Sequence, residues 1–175
     1  GMLSGSQIGA YSLSEPQAGS DAAALRCAAK PTGDGYVISG PKAWITHGGL
    51  ADFYTLFART GEGQRGITCF LIPAGIAGLS FGKPEDKMGL CAVPTTAAFY
   101  DNVRVARDRR IGEEGQGLQI AFSALDSGRL GIAAVAVGLA QAALDEACAY
   151  AHERTTFGRR IIDHQGPGLL PADMA

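Results

Sequence analysis

The sequence changes character at Ile111-Gly112-Glu113-Glu114-Gly115 (IGEEG, residues 111–115). On the N-terminal side of this stretch, short apolar runs alternate with clusters of Gly, Pro and Asp, which is the pattern of β-strands joined by tight turns. On the C-terminal side, apolar residues recur at helical intervals. The sequence therefore predicts an α+β chain, with a β domain at residues 1–111 and the beginning of a helical domain at residues 112–175.

The β domain is predicted to form a small antiparallel barrel or sandwich. Residues 53–58 (FYTLFA) would bury both faces of a strand. A sheet buried on both faces must close on itself or be covered by another domain. The predicted strands cover residues 24–30, 36–39, 42–46, 53–59, 67–72 and 97–105.

The helical domain is predicted to begin with one helix over residues 117–154, about 55 Å long at 1.5 Å per residue. Residues 130–144 carry no charge, but this run is shorter than the roughly 20 apolar residues that span a bilayer. We therefore expect a buried helix of a soluble bundle and no membrane span. Residues 163–175 are expected to begin a second helix, which Pro167 and Pro171 would strain or delay. The few helical residues available suggest a slice of a larger protein.

The composition excludes several classes of function. The net charge is −2 and no basic run exceeds residues 107–110 (RDRR), so the electrostatic pattern of a nucleic-acid-binding protein is missing. The four cysteines form no CxxC pair and the three histidines are scattered, so no metal site is expected. Without a disulfide framework or a visible signal peptide, the expected compartment is the bacterial cytoplasm, or the mitochondrial matrix in a eukaryote.

Four motifs occur in order along the chain. They are YSLSEP at 11–16 with AGSD at 18–21, GPKAWITHGG at 40–49, DSGR at 126–129 and ERTTFGR at 153–159. Through these motifs the whole chain resembles the middle and early C-terminal part of an acyl-CoA dehydrogenase. The resemblance implies a middle β-barrel domain and the start of a C-terminal helical bundle, with FAD between them. The family's N-terminal helices and last helices would lie outside this chain.

The first two motifs are implied to contact the flavin. Segment 11–20 offers the apolar cover and hydroxyl groups that a flavin requires. By itself, however, it would be interpreted as a turn in which Ser14 caps Glu15-Pro16. Trp44, the only Trp, would by itself be interpreted as a barrel-core residue. The FAD contacts that the resemblance implies here are Tyr11, Leu13, Ser14, Gly19, Ser20, Trp44, Ile45 and Thr46, and Ser20 also reaches the CoA side of the ligand.

The other two motifs lie in the helical domain. Asp126 and Arg129 share one helix face at i, i+3, where a plain ion pair is the simpler explanation, whereas the resemblance implies that they bind the acyl-CoA substrate. Gly158 is predicted to cap the long helix. The resemblance implies contacts with the FAD of a neighbouring subunit, and hence a homodimer or homotetramer, from Arg154, Thr156, Phe157 and Gln165.

The activity implied by the resemblance is oxidation of the α,β bond of an acyl-CoA thioester, with hydride transfer to FAD and electrons then passed to an electron-transfer flavoprotein. Glu15 precedes Pro16 in a turn and is expected to satisfy local backbone donors. No catalytic residue is assigned, because the family's usual base, a Glu, is expected outside this chain. The alternatives are an acyl-CoA oxidase of the same fold and a truncated, non-catalytic flavin- or acyl-CoA-binding module. The isolated chain is expected to be inactive.

Overall fold

The computed structural model describes residues 1–174. The chain divides into two compact units, the first covering Gly1–Ser123 and the second beginning at Ala124. The division falls inside the long helix, so its first turns belong to the sheet-containing unit. The family domains expected at 1–111 and 112–175 stay a prediction.

The first unit is an eight-stranded sheet with the order β6-β7-β3-β2-β4-β5-β8, in which β1 also pairs with β4. The α+β class is confirmed, but the sheet is mixed, because β1 and β2 both pair with β4 in parallel. Parallel pairing is possible because the chain between β1 and β4 is long enough to return in the same direction. The strands are β1 (Gly9–Ser12), β2 (Ala28–Pro31), β3 (Gly35–Thr46), β4 (Phe53–Arg59), β5 (Ile67–Pro73), β6 (Leu79–Phe81), β7 (Thr95–Ala106) and β8 (Arg110–Ile111).

The core of this unit lies between the inward faces of the strands. Phe70 packs edge-on against Tyr36, with 4.9 Å between the ring centroids. The predicted strands 36–39 and 42–46 are one strand, β3, because the chain passes Gly40 with a register shift rather than a turn. A Cβ on Gly40 would lie 2.6 Å from the Cys27 Cα, so glycine allows β3 to approach the residue that precedes β2 closely. Further core residues are Ile38, Ile45, Tyr54, Leu56, Ile72 and Val103.

The long helix α1 (Gly117–Glu153) agrees with the predicted range. Beyond its first turns it is largely exposed, and Leu130 and Val137 have exposed fractions of 77% and 71%. The prediction of a buried helix is therefore wrong for this chain, because none of the described residues covers this stretch. By length and apolar composition alone, α1 would be sufficient to cross a membrane, a property that core helices of soluble proteins share.

A short hairpin follows α1, formed by β9 (Thr155–Thr156) and β10 (Arg159–Arg160). Phe157 and Gly158 form its turn with φ values of 51° and 78°, as a two-residue type I′ turn requires. The prediction that Gly158 caps the helix is therefore wrong. The second helix, α2 (Gln165–Met174), does form. Pro167 lies in its first turn, where no helical N–H bond is lost, while Pro171 lies inside it.

Short 3₁₀ helices complete the chain. The one at Ala22–Ala24 follows the first sequence motif, and the one at Ile161–Asp163 precedes α2. Their three-residue length is typical of connections between longer elements. The others are Met2–Ser4, Gln64–Gly66 and Arg107–Arg109.

Candidate functional site

The loop after β1 is organised around the carboxylate of Glu15, whose side chain is fully buried. Its Oε1 accepts hydrogen bonds from the Cys27 N–H at 2.9 Å and from Lys42 Nζ at 2.8 Å. Its Oε2 accepts from the Arg26 N–H and from Gln17 Nε2, both at 2.7 Å. Glu15 does accept from backbone N–H groups as expected, but these donors are not local to its turn, since Arg26 and Cys27 lie eleven and twelve residues further along the chain. Because protein donors engage both oxygens, Glu15 is not placed to act as a base.

Glu15 and Lys42 form an ion pair in which both side chains are fully buried. Burial acts to raise the pKa of Glu15, but Lys42 and the N–H donors outweigh this effect and hold that pKa below its ordinary value. Burial lowers the pKa of Lys42. Burial also raises the pKa of the neighbouring Cys27 thiol to about 12, so this thiol stays protonated and unreactive at neutral pH.

The lowered pKa of Glu15 predicts a loss of stability in acid. The Glu15 carboxylate takes up a proton more readily in the unfolded chain than in the folded chain. The stabilisation from this carboxylate is therefore present above its ordinary pKa of 4.5 and is lost as the pH falls through its lower pKa in the folded chain. We expect the urea midpoint, followed by Trp44 fluorescence, to fall less between about pH 6 and about pH 3 in Glu15→Gln than in the unaltered chain. Glu62→Gln, which alters an exposed carboxylate, is the matched control. Equal acid losses in Glu15→Gln and the unaltered chain would contradict this assignment.

Strand β3 contains an extra residue just beyond the ion pair. Lys42 lies opposite Ala98 and Ile45 lies opposite Thr96, so three steps on β3 correspond to two on β7. A bulge of this kind redirects a side chain. Trp44 lies in the bulge with φ 55° and is 57% exposed. The barrel-core interpretation of this Trp is therefore wrong, and its indole is free to contact a ligand.

The loop after β1 is attached to β3 immediately before the bulge. The Ala43 N–H donates to the Ser14 carbonyl at 2.9 Å, and Lys42 Nζ donates to the Leu13 carbonyl at 2.8 Å. These two bonds join consecutive residues of the loop to consecutive residues of the strand. The loop and the bulge are consequently held as one assembly.

The predicted FAD contacts of the first unit differ in what they present to a ligand. Leu13 and Ile45 are 8% and 1% exposed as whole residues, so they pack inward and present little surface to a ligand. The Tyr11 hydroxyl donates to the Ala121 carbonyl at 3.1 Å, and burial raises its pKa to about 12. The exposed or half-buried members are Tyr11, Ser14, Gly19, Ser20, Trp44 and Thr46.

In the second unit, Asp126 and Arg129 form the ion pair expected from their spacing, with 2.7 Å between Arg129 Nη1 and Asp126 Oδ1. Both side chains are 69% exposed, so the pair contributes little to stability. Arg129 shares one apolar face of α1 with Leu125, Gly128, Ile132, Ala133 and Ala136. The charged groups therefore lie at the edge of an apolar surface.

The remaining predicted contacts lie at and after the end of α1. Phe157 is at the tip of the hairpin and is 97% exposed. The Thr156 hydroxyl lies 3.3 Å from His164 Nε2, which ties the hairpin to the residues before α2. Arg154 is exposed between α1 and β9, and Gln165 is the first residue of α2. The ring of Phe157 is therefore accessible, although a single exposed apolar residue does not by itself mark a binding site.

The family is decided by two matches that together cover most of the chain. The model of the acyl-CoA dehydrogenase middle domain matches residues 10–103, and that of the acyl-CoA dehydrogenase C-terminal domain matches residues 115–175. The chain belongs to the acyl-CoA dehydrogenase family. The family resemblance of the sequence motifs is thereby confirmed.

Individual relatives in the acyl-CoA dehydrogenase family match nearly the whole chain. The short-chain specific acyl-CoA dehydrogenase of Clostridium acetobutylicum is 45% identical over 175 residues, which is 99% of this chain and 46% of that protein. The mitochondrial short-chain specific acyl-CoA dehydrogenase of Bos taurus is 44% identical, over 98% of this chain and 42% of that protein. The structure of butyryl-CoA dehydrogenase from Megasphaera elsdenii has a TM-score of 0.94 at 41% identity, over 99% of this chain and 46% of that one. The chain thus spans about half the length of the curated relatives it matches.

Two residues of the site were missed in the sequence. Lys42 carries a signal in retrospect, because a lone Lys within an apolar strand needs a buried partner. Arg59 carries no such signal in the sequence, because its guanidinium donates only to backbone carbonyls. Its guanidinium contacts the carbonyls of Ala23 and Leu25 at 2.6 and 2.9 Å, and those of Gly61 and Gly63 at 3.1 and 2.9 Å. It fastens the chain that follows the first motif.

Proposed function

We propose that this chain is the flavin- and substrate-binding part of an FAD-dependent acyl-CoA dehydrogenase, which oxidises the α,β bond of an acyl-CoA thioester to the 2-enoyl-CoA. The supporting observation is the Trp44 bulge, where an exposed indole with a strained backbone is fastened to the loop after β1. The names of the relatives favour a short acyl chain.

The exposed groups around the bulge fit a flavin. Ser14 and Thr46 offer hydroxyl groups, and Trp44 offers an aromatic surface that excludes water. When bound, FAD supplies the hydride acceptor for the reaction. We propose that Thr46 donates a hydrogen bond to the ring edge where negative charge develops, and that Trp44 shields the same region. Tyr11 and Gly19 complete the exposed set, with Ser20 towards the CoA, and the buried Leu13 and Ile45 are proposed to support these contacts from beneath.

The second unit is proposed to bind the rest of the ligands. The planar guanidinium of Arg154 suits a pyrophosphate, because its donors bind oxygens in pairs. Thr156, Phe157 and Gln165 are proposed to contact the same FAD, supplied by a neighbouring subunit of a homodimer or homotetramer. Asp126 and Arg129 are proposed to bind the acyl-CoA, with the acyl chain against apolar side chains of α1.

The electron acceptor is proposed to be an electron-transfer flavoprotein. Oxygen as acceptor would make the protein an acyl-CoA oxidase, and the two are distinguished by assaying the parent protein for hydrogen peroxide. The relatives include a bacterial and a mitochondrial protein, so we propose the bacterial cytoplasm or the mitochondrial matrix as the compartment.

The test is a titration of the 175-residue chain with FAD, followed by the fluorescence of its only Trp and by the visible absorption of the flavin. We expect quenching of Trp44 with a Kd weaker than about 10 µM, because only part of the binding surface is present. When butyryl-CoA is added to this chain with FAD, we expect no bleaching of the visible flavin absorption. Riboflavin is the control, since it carries the ring without the pyrophosphate that Arg154 would bind. Unchanged Trp44 emission at about millimolar FAD would overturn the proposed flavin contact.

A further inference from the structure

We propose that the buried Glu15–Lys42 ion pair is a positioning element that holds the Trp44 bulge in the geometry required for the flavin. The inference rests on the proposed function, in which Trp44 contacts that ring. Neither residue touches the ligand in this proposal. Both act through the backbone of the loop and of β3.

Burial of this ion pair carries a desolvation penalty that an apolar pair would not have. Both side chains are fully buried, and replacing such a pair by apolar residues of similar volume is often neutral or stabilising. Glu15 and Lys42 are therefore better explained by the specific backbone groups that they fix than by their contribution to stability.

Three separate segments meet at the pair. The Glu15 carboxylate accepts from the backbone of Arg26 and Cys27, which precede β2. Lys42 Nζ, from β3, donates to Glu15 and to the Leu13 carbonyl, each at 2.8 Å. An apolar pair would fill the same space but would leave the Leu13 carbonyl without this donor.

The attachment lies directly beside the bulge. Lys42 is the last residue of β3 in register with β7 before the extra residue. The next N–H, that of Ala43, donates to the Ser14 carbonyl. Trp44 then adopts a φ of 55°, which is a genuine outlier for a bulky residue and persists only when its surroundings hold it. Loosening the loop from Lys42 removes that support.

The experiment compares the unaltered chain with the double variant Glu15→Gln/Lys42→Met, which removes both charges while retaining side chains of similar length. Trp44 anisotropy and acrylamide quenching are measured without FAD, and FAD affinity is then measured by titration. We expect a urea midpoint close to that of the unaltered chain, lower Trp44 anisotropy, and FAD binding weaker by about tenfold or more. The control is Arg160→Met/Asp163→Asn, which removes an exposed ion pair and is expected to change none of these signals.

A folded double variant with unaltered Trp44 anisotropy and quenching would overturn the proposal, because a merely structural pair leaves the bulge unchanged. If the double variant does not fold, hydrogen exchange of the Ala43 N–H in the unaltered chain decides. Strong protection supports the attachment, and exchange at the rate of a free amide overturns it. If FAD fails to bind the unaltered chain, the proposed function fails, while the Trp44 comparison still tests the positioning role.

Discussion

Lys42→Met is expected to lower the free energy of unfolding by about 3–5 kcal/mol, because it leaves the Glu15 carboxylate buried without its counter-charge. Both side chains are fully buried, so water cannot replace the lost ammonium group. The measurement is urea unfolding followed by Trp44 fluorescence, which reports on the first unit. Lys30→Met, which alters an exposed residue of β2, is the matched control and is expected to change stability by less than about 0.5 kcal/mol.

The double variant Glu15→Gln/Lys42→Met separates the cost of an unpaired charge from the value of the pair. It is expected to regain most of the stability that Lys42→Met loses, since no charge remains buried. A loss of less than about 1 kcal/mol in Lys42→Met would show that Glu15 finds another partner or water.

Gly117→Ala is expected to lower the free energy of unfolding by about 1–3 kcal/mol, as overpacking against fixed atoms does. A Cβ on Gly117 would lie 2.7 Å from the Ile67 carbonyl oxygen and 2.8 Å from the Thr68 nitrogen. Both are backbone atoms of β5, so no side chain can move aside. The Thr68 hydroxyl also accepts from the Gly115 N–H at 3.1 Å, which fixes the approach to α1.

A Gly→Ala substitution later in α1 should change the stability in the opposite direction. A Cβ on Gly131 would meet nothing within 4 Å, and Ala exceeds Gly in helix propensity by about 1 kcal/mol. Gly131→Ala is therefore expected to stabilise α1, measured as helical ellipticity during thermal unfolding, while Gly117→Ala lowers the urea midpoint of the first unit. If Gly117→Ala and Gly131→Ala changed the stability equally and in the same direction, a close contact at Gly117 would be contradicted.

Sequence patterns predicted the helices and strands that depend on neighbouring residues in the chain. The helical spacing after Gly115 placed α1 within one residue of its observed end, and β4 has the predicted bounds, residues 53–59. The bulge at Trp44 was not predicted, because it depends on a hydrogen bond between Ala43 and Ser14, far apart in the sequence. Gly158 was misassigned because a C-terminal cap and a type I′ turn both favour glycine with positive φ.

The candidate site was predicted in the same uneven way. The motifs identified which residues to consider, and Trp44 and Ser20 are indeed exposed. Side-chain direction was not available from the motifs, so Leu13 and Ile45 were proposed as contacts although their side chains point inward. Lys42 was missed because its role depends on where Glu15 lies in three dimensions. The roles of all these residues in binding stay predictions.

The exposed apolar surface along α1 is expected to govern the self-association of this chain in solution. Leu130, Ile132 and Val137 present their side chains to water, and water favours any association that removes such a surface from it. Self-association should therefore rise with protein concentration and compete with the acyl-CoA binding that we propose beside Arg129. Binding curves measured at one concentration would mix the two equilibria, whereas a dilution series separates them.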